Sequence, residues 1–516
     1  MEPVRLTVLA DRLGLSAELP GRDGVDFGSA TVTGIALASD SVRPGDLYAA
    51  LPGSRHHGAR FLRDAADRGA VAVLTDEAGA EYCADAGLPT LVVEQPRRLV
   101  GELAATIYGH PARSLTLIGV TGTQGKTTTT HMLTSGLQEL GRHTAVVGTL
   151  GTWIDGLPVT SALTTPEAPD LHALFAVMVE RQVEVCAMEV SSHALVMGRV
   201  DGVVFDLAVF TNFGRDHLDF HTDIDDYFAA KAQLFTAQRS RRALINVDDP
   251  SVARLLEGPT IPMRTFSATG AAADWIAAIV AAGPGGSTFA VSGPDKRRFE
   301  ATIALPGPFN VANALCALAA IGEIGRDVEA AARGLASLPS VRGRMEPVQR
   351  GQPFAVVIDY AHKPDAVTAA LEALRAVTVG KLIVVIGAGG DRDAGKRHLM
   401  GEIAARLADI VIVTDDNPRS EDPAVIRAEL VAGAEGAVDG TADVAEVADR
   451  EAAIQAALAA ARTGDAVLIA GKGHEKGQEV AGQVLPFDDR EVAERALASM
   501  SHADSSGAPV GNQVWP

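Results

Sequence analysis

The chain contains no apolar run approaching the roughly 18 residues that a membrane helix needs, so bilayer insertion is not expected. Its first stretch, Met1 to Leu13, interrupts its apolar residues with Glu2, Arg5, Asp11 and Arg12, which leaves no signal-peptide core. Cysteine is scarce: Cys83, Cys186 and Cys316 are far apart, with no C-x-x-C spacing. That pattern fits a reducing, cytoplasmic setting and argues against a disulfide framework or a zinc ribbon. Positive charge is also short, with 45 Lys+Arg against 65 Asp+Glu and a net charge of -20. Such a surface repels polyphosphate, so no nucleic-acid partner is expected. Any anionic ligand must then be met by local lysines, arginines and metal ions. No repeat of solenoid period is present either.

What is present is an ordinary globular balance, 47% hydrophobic and 21% charged, over 516 residues. At roughly 150 residues per domain this suggests about three domains. In the first, residues 1–112, Ser41 to Gly53 reads as a strand between Pro/Gly turns. Tyr108 to Arg113 punctuates the chain as a linker. Residues 113–346 carry strand candidates at Leu115 to Val120, Val183 to Val190, Phe205 to Phe210 and Ala243 to Val247, with helical stretches between. A second alternating series, in 347–500, has strands at Ala355 to Ile358, Lys381 to Ile386, Ile410 to Val413 and Ala466 to Ala470. Its helices start near Pro364, Lys396, Pro423 and Arg450. Alternation of this kind predicts an α/β fold with parallel sheets covered on both faces. Residues 501–516, rich in Ser, Gly and Pro, read as a disordered tail.

Gly122-Thr123-Gln124-Gly125-Lys126-Thr127-Thr128 stands between a strand and a helix. There its backbone N–H groups and the helix N-terminus can wrap phosphate, Lys126 can reach the terminal phosphates, and Thr127 can ligate Mg²⁺. The loop departs from the common G-x-x-x-x-G-K-[ST] pattern, because Val120 stands where the first glycine belongs. Gly387 to Arg392 begins like a dinucleotide fingerprint but ends in Arg392, and NAD binding is rejected there.

The shortened loop resembles that of the Mur ligase family. Further blocks agree in order: Met188-Glu-Val-Ser-Ser-His193, Phe210 to Asp219, Tyr227-Phe-Ala-Ala-Lys231, Asn310-Val-Ala-Asn313, Gly343-Arg344-Met-Glu346 and Asp359-Tyr-Ala-His362. The resemblance spans Ser39 to Glu475. It implies an N-terminal UDP-binding domain, a central ATP-binding domain of P-loop type and a C-terminal Rossmann-like domain that receives an amino acid. It also implies ATP-driven amide formation by way of an acyl phosphate, on a monomer. Both steps gather negative charge, so cation placement and alignment become the protein's main task.

Glu189 ends a predicted buried strand; read alone it is a water-capped strand end, whereas the resemblance implies Mg²⁺ ligation. His217 and His221 are four apart, but no H-E-x-x-H motif exists and zinc is not expected. The resemblance makes His217 a magnesium ligand and leaves His221 structural. Lys231 read alone is a solvated helix lysine; its setting resembles the family's carbamylated lysine, whose CO₂-derived carbamate would serve a second Mg²⁺. Formation of that carbamate needs a neutral amine. Asn313, Arg344 and Asp359 match nucleotide-holding positions. For a UDP-N-acetylmuramoyl-L-alanyl-D-glutamate substrate the resemblance points to Leu37, Ser39, Ser54, Arg55 and His56, then to Thr164, Thr165, Ser191, Met197 and Arg199. Ala38-Ser39-Asp40 and Met197 depart from the family's usual residues there.

Asp416-Asn417-Pro418-Arg419 follows a strand and resembles the recognition motif of the diaminopimelate-adding members. An arginine fork can grip the distal carboxylate that meso-diaminopimelate has and lysine lacks. Arg392 would add a second cation for the amino acid's carboxylates, and Gly471 and Glu475 would take the distal ammonium and carboxylate through a backbone group and a counter-ion. The rival readings are a lysine-adding or folylpolyglutamate ligase of the same superfamily, and a P-loop switch that hydrolyses nucleotide without an amine.

Overall fold

The computed structural model describes residues 2–15, 29–53, 55–83, 87–159, 163–283, 285–338, 340–438 and 440–505. Three sheets of differing size organise it. In the first, Gly34–Ala36, Asp46–Ala49, Ala72–Thr75 and Thr90–Val92 run parallel in that order. Period-two alternation sends Leu47, Ala49, Ala72 and Leu74 to one core and Tyr48, Ala50 and Val73 to the other.

The second sheet has 11 strands. Its middle is parallel: Thr144–Gly148, Val185–Glu189, Thr116–Thr121, Leu207–Phe210, Ala243–Asn246 and Met263–Ser267 lie side by side. Ile118 and Val120 enter one apolar layer and Leu117 the other, so both faces are buried. The expectation of a parallel sheet needs correction at both edges. Gly151–Ile154 and Leu157–Val159 add an antiparallel hairpin on one side. On the other, Trp275–Gly283, Gly286–Gly293 and Arg297–Ile303 form an antiparallel meander. Its turn at Gly286 (φ 129°) explains the hairpin, because a Cβ there would lie 1.9 Å from the Ile303 carbonyl oxygen.

The third sheet orders Glu346–Pro347, Ala355–Asp359, Ala466–Ala470, Leu382–Ile386, Ile410–Val413 and Asp443–Glu446, all parallel except the first. Helices starting at Pro364, Gly395, Pro423 and Arg450 cover it. The last helix, Asp489–Ser505, runs on through 501–505, where a tail was expected; 506–516 lie outside the described residues. Among the described residues no helix is long and apolar enough to cross a membrane. The sheets matter for function because the segments that follow Thr121, Glu189, Phe210, Asp359, Ile386, Val413 and Ala470 all leave the carboxyl ends of parallel strands. That is where open α/β sheets bind ligands.

Candidate functional site

The strand Thr116–Thr121 delivers the chain into the glycine-threonine loop, and a helix starts at Lys126. Two glycines are forced here. A Cβ on Gly122 (φ 149°) would sit 2.0 Å from Thr211 Oγ1, and one on Gly125 (φ 82°) 2.4 Å from Asn313 Oδ1. The segment after Phe210 pins the loop: Gln124 N–H donates to Asn212 Oδ1 at 2.8 Å, and the Thr211 hydroxyl donates to the Gln124 carbonyl at 2.6 Å. Lys126 curls back onto the carbonyls of Gly122 (2.8 Å) and Thr123 (3.1 Å). Burial pulls the Lys126 amine down to about 8.

Lys231 corrects its reading as a solvated lysine, for it is 1% exposed. It stands on the helix Ile224–Ala232, capped by Asp223, which turns it inward under the loop. Its Nζ donates to the same Gly122 carbonyl at 2.8 Å and lies 4.5 Å from the Tyr227 ring centroid. Burial first, then the Lys126 charge, holds its amine well below the usual lysine range. Glu189, also 1% exposed, accepts from the N–H (2.8 Å) and hydroxyl (3.1 Å) of Thr149. Thr149 was not legible in the sequence.

His217 holds a left-handed backbone (φ 53°), a strained conformation that costs about 1–3 kcal/mol in a non-glycine residue. Its Nε2 lies 3.1 Å from Asp216, which also pairs with Lys363. Burial would raise the Asp216 carboxyl, but the Lys363 ammonium outweighs it and holds it at about 2. Burial drives the His217 imidazole down to about 3 despite Asp216, leaving it neutral. His221 is tied to Ser192 Oγ at 2.9 Å.

From the third sheet Arg344 reaches Thr127 Oγ1 at 3.3 Å and stacks over Tyr360, 4.7 Å from its ring centroid. Asp359 accepts the Met345 N–H at 2.7 Å, and burial raises its carboxyl. A cavity of about 420 Å³ opens between the segment after Phe210 and the third sheet. Asp216 and His217 line one side of it; Lys363, Arg392, Lys396, Asp416, Asn417, Arg419, Gly471 and Glu475 line the other. Pro418 lies between Asn417 and Arg419 in the same turn. Arg419 (φ 53°) donates to the Gly390 carbonyl at 2.7 Å and to Glu479 at 3.2 Å. Asn417 Nδ2 donates to Glu475 at 2.7 Å, and Lys472, absent from the sequence reading, touches both. Gly471 (φ 117°) is required, because a Cβ would meet Asp416 Oδ2 at 2.4 Å. Arg392 is 58% exposed, 3.9 Å from Asp219.

Arg199 pairs with Glu167 at 2.8 Å and touches the Thr165 carbonyl and Met197 Sδ at 3.5 and 3.6 Å. Thr165 donates to the Glu189 carbonyl, and Thr164 lies 3.4 Å from Thr149 Oγ1. These residues therefore gather beside Glu189. The Ser191 hydroxyl is engaged as a helix cap, accepting from Ala194 N–H at 3.1 Å. In the first sheet, Leu37, Ser39, Arg55 and His56 follow strand ends, whereas Ser54 lies outside the described residues. Among the described residues no hydrogen bond or ion pair joins that group to Arg199 or the glycine-threonine loop. A larger depression, about 930 Å³, lies between Arg97 and Arg241. Met197 alone of the nominated residues lines it.

Three family models match the chain: "Mur ligase family, catalytic domain" over 31–108, "Mur ligase middle domain" over 120–321 and "Mur ligase, glutamate ligase domain" over 343–473. The chain is 55% identical over 497 residues to a Streptomyces avermitilis protein named UDP-N-acetylmuramoyl-L-alanyl-D-glutamate–2,6-diaminopimelate ligase, covering 96% of this chain and 97% of that one. A Corynebacterium glutamicum protein of the same name is 47% identical, with 95% and 96% covered. A solved structure of a ligase of that name aligns with TM-score 0.66 at 32% identity, over 94% of this chain and 98% of the other. The folylpolyglutamate synthase of Mycobacterium tuberculosis shares the fold (TM-score 0.58, 20% identity, 78% and 95% covered).

Proposed function

Because the chain belongs to the Mur ligase family, we propose that it joins meso-diaminopimelate to UDP-N-acetylmuramoyl-L-alanyl-D-glutamate, with ATP as the energy source, in peptidoglycan synthesis. The observation that carries this reading is the single cavity that sets Asp216 and His217 opposite Asp416, Asn417, Arg419 and Glu475. The segment that carries His217 also pins the glycine-threonine loop through Thr211 and Asn212, so an acyl group activated beside that loop can be handed to an amine in the cavity. The relatives' shared name supports the choice of amine.

In this reading the division into residues 1–112, 113–346 and 347–500 follows the ligands. The first part, with Leu37, Ser39, Ser54, Arg55 and His56, holds the UDP group. The loop N–H groups, Gly122 to Thr128, and Lys126 hold the ATP phosphates, while Asn313, Arg344 and Asp359 hold the rest of the nucleotide. Thr164, Thr165, Ser191, Met197 and Arg199 direct the peptide carboxylate toward the terminal phosphate. That carboxylate takes the phosphoryl group; the amine of diaminopimelate then attacks the acyl carbon and phosphate leaves. Arg419 and Arg392 orient the amine by its carboxylates, and Gly471 and Glu475 take the distal ammonium. We also infer a monomer working in the cytoplasm, where ATP is made.

Magnesium is part of the same proposal. Among the described residues no three His, Cys, Asp or Glu side chains converge to hold a metal ion. The donor set Thr127, Glu189 and His217 supplies only one carboxylate. Lys231 repairs that deficit if carbamylated, and its buried, neutral-favouring amine beneath the loop is the form that reacts with CO₂. The residues therefore fit. Bound Mg²⁺ would supply positive charge against the phosphate oxygens.

Phosphate release measured with amines exchanged one at a time tests the function. It should require ATP, the UDP-dipeptide and diaminopimelate together. Release without any amine would favour a switch ATPase, and equal rates with L-lysine would favour the lysine-adding rival.

A further inference from the structure

Lys472 is 0% exposed, yet it is an ammonium on the loop that carries Gly471 and Glu475. Its Nζ donates to Asn417 Oδ1 at 2.8 Å and to Glu475 Oε2 at 3.3 Å, and it lies 3.6 Å from Asp416 Oδ1. Each contact is to a residue lining the amine side of the cavity, while Lys472 itself does not line it. Asn417 is consequently locked. Its Oδ1 accepts from Lys472 and from the Glu479 N–H (3.0 Å), and its Nδ2 donates to Glu475 Oε2 (2.7 Å). The amide cannot flip without losing all three bonds. Glu475 is likewise held by one oxygen, while Oε1 accepts only the Tyr360 hydroxyl at 3.3 Å.

The charges give this arrangement a consequence. Asp416 and Glu475 bring two carboxylates to one wall, and Lys472 is the cation that touches both. Arg450, the next cation behind them, is already spent on Asp489 at 2.8 Å. Counted with Lys472, the Asp416 and Glu475 pair carries one net negative charge; without it, two, while the charges of Arg392, Lys396 and Arg419 on the same wall stay the same. The distal centre of diaminopimelate, one ammonium and one carboxylate, is neutral overall, whereas the side chain of lysine is a bare cation. Removing the Lys472 compensation shifts the pocket toward the bare cation and away from the carboxylate.

We infer that Lys472 is a positioning and specificity-determining residue: its buried ammonium fixes Asn417 and Glu475 and trims the charge of the amine pocket so that diaminopimelate is preferred over lysine. This rests on the diaminopimelate reading above. It also goes beyond it, because Lys472 need not touch the amino acid.

The test uses the full chain with ATP, Mg²⁺ and the UDP-dipeptide. Native enzyme, K472M and K472Q are each assayed with diaminopimelate and with L-lysine. The native chain is the control for the parent reading; if it does not consume diaminopimelate, that reading fails first. Given that it does, K472M should raise the KM for diaminopimelate at least about tenfold and leave the KM for ATP within about twofold. The ratio of kcat/KM for diaminopimelate to that for lysine should fall at least about tenfold. K472Q, which keeps a donor but no charge, should show the ratio change with a smaller rise in KM. An unchanged ratio, or parallel losses on ATP and both amines, would overturn the inference. So would failure of both variants to melt cooperatively, since Lys472 would then be a core residue of the domain.

Discussion

The glycine-threonine loop and the third-sheet wall of the cavity handle charge in opposite ways. At the loop, Lys126 and Lys231 both donate to the Gly122 carbonyl and, among the described residues, have no carboxylate partner. Burial depresses both amines. On the third-sheet wall the buried and half-buried cations are already engaged: Lys472 with Asn417 and Glu475, Arg419 with Gly390 and Glu479, and Arg397 with Glu421 at 2.8 Å and Glu429 at 3.2 Å, whereas Arg392 stays 58% exposed. The first side is poised to gain charge from ligand and modification; the second is assembled in advance. A preassembled wall suits discrimination between similar amines, because a wrong amine cannot recruit the committed groups. An uncommitted Lys126 suits phosphate, whose charge restores its own, and a neutral Lys231 suits the carbamate proposed for it.

Breaking the nucleotide side should cost most. Lys231→Ala should lower ligation on the order of 10³-fold while ATP affinity stays within about threefold, with partial recovery in added formate or acetate. Normal turnover would remove the carbamate from the account. Arg419→Lys comes next: the KM for diaminopimelate should rise about 10- to 100-fold with the KM for ATP little changed, since an ammonium cannot fork across a carboxylate. An unchanged KM would take Arg419 out of recognition. Gly125→Ala sharpens the contrast, because its φ of 82° and the 2.4 Å approach to Asn313 belong to the loop alone. It should cost about 1–2 kcal/mol in a melting experiment and weaken ATP binding without touching amine selectivity. The smallest effect is expected for Thr149→Val, which removes the hydroxyl but keeps the N–H to Glu189. A few-fold higher Mg²⁺ requirement, read by titrating phosphate release against Mg²⁺, would follow from a less restrained carboxylate. No change in that titration would place Glu189 outside the metal site.

Much of this was legible in the chain before any coordinates. The glycine-threonine loop was, because steric demands at Gly122 and Gly125 leave few alternatives to glycine. Strands such as Ile410–Val413 and Ala466–Ala470 were, because continuous apolar runs bounded by turns belong to sheets buried on both faces. The meander through Trp275–Gly283 was not, since its outer half, Ala278 to Ala282, is apolar yet exposed and shows no alternation. Lys231 could not be told locally from a solvated lysine, because the loop that buries it lies 109 residues away. Thr149, Lys363 and Lys472 escaped for the same reason: each acts on a residue brought near by strand order rather than by sequence spacing.

The most direct measurement is a one-tube competition. The chain is given ATP, Mg²⁺, the UDP-muramoyl dipeptide and equal concentrations of meso-diaminopimelate and L-lysine, and the nucleotide-linked products are weighed by mass spectrometry. The account predicts the diaminopimelate tripeptide in large excess. Predominance of the lysine product, or phosphate without any tripeptide, would contradict it.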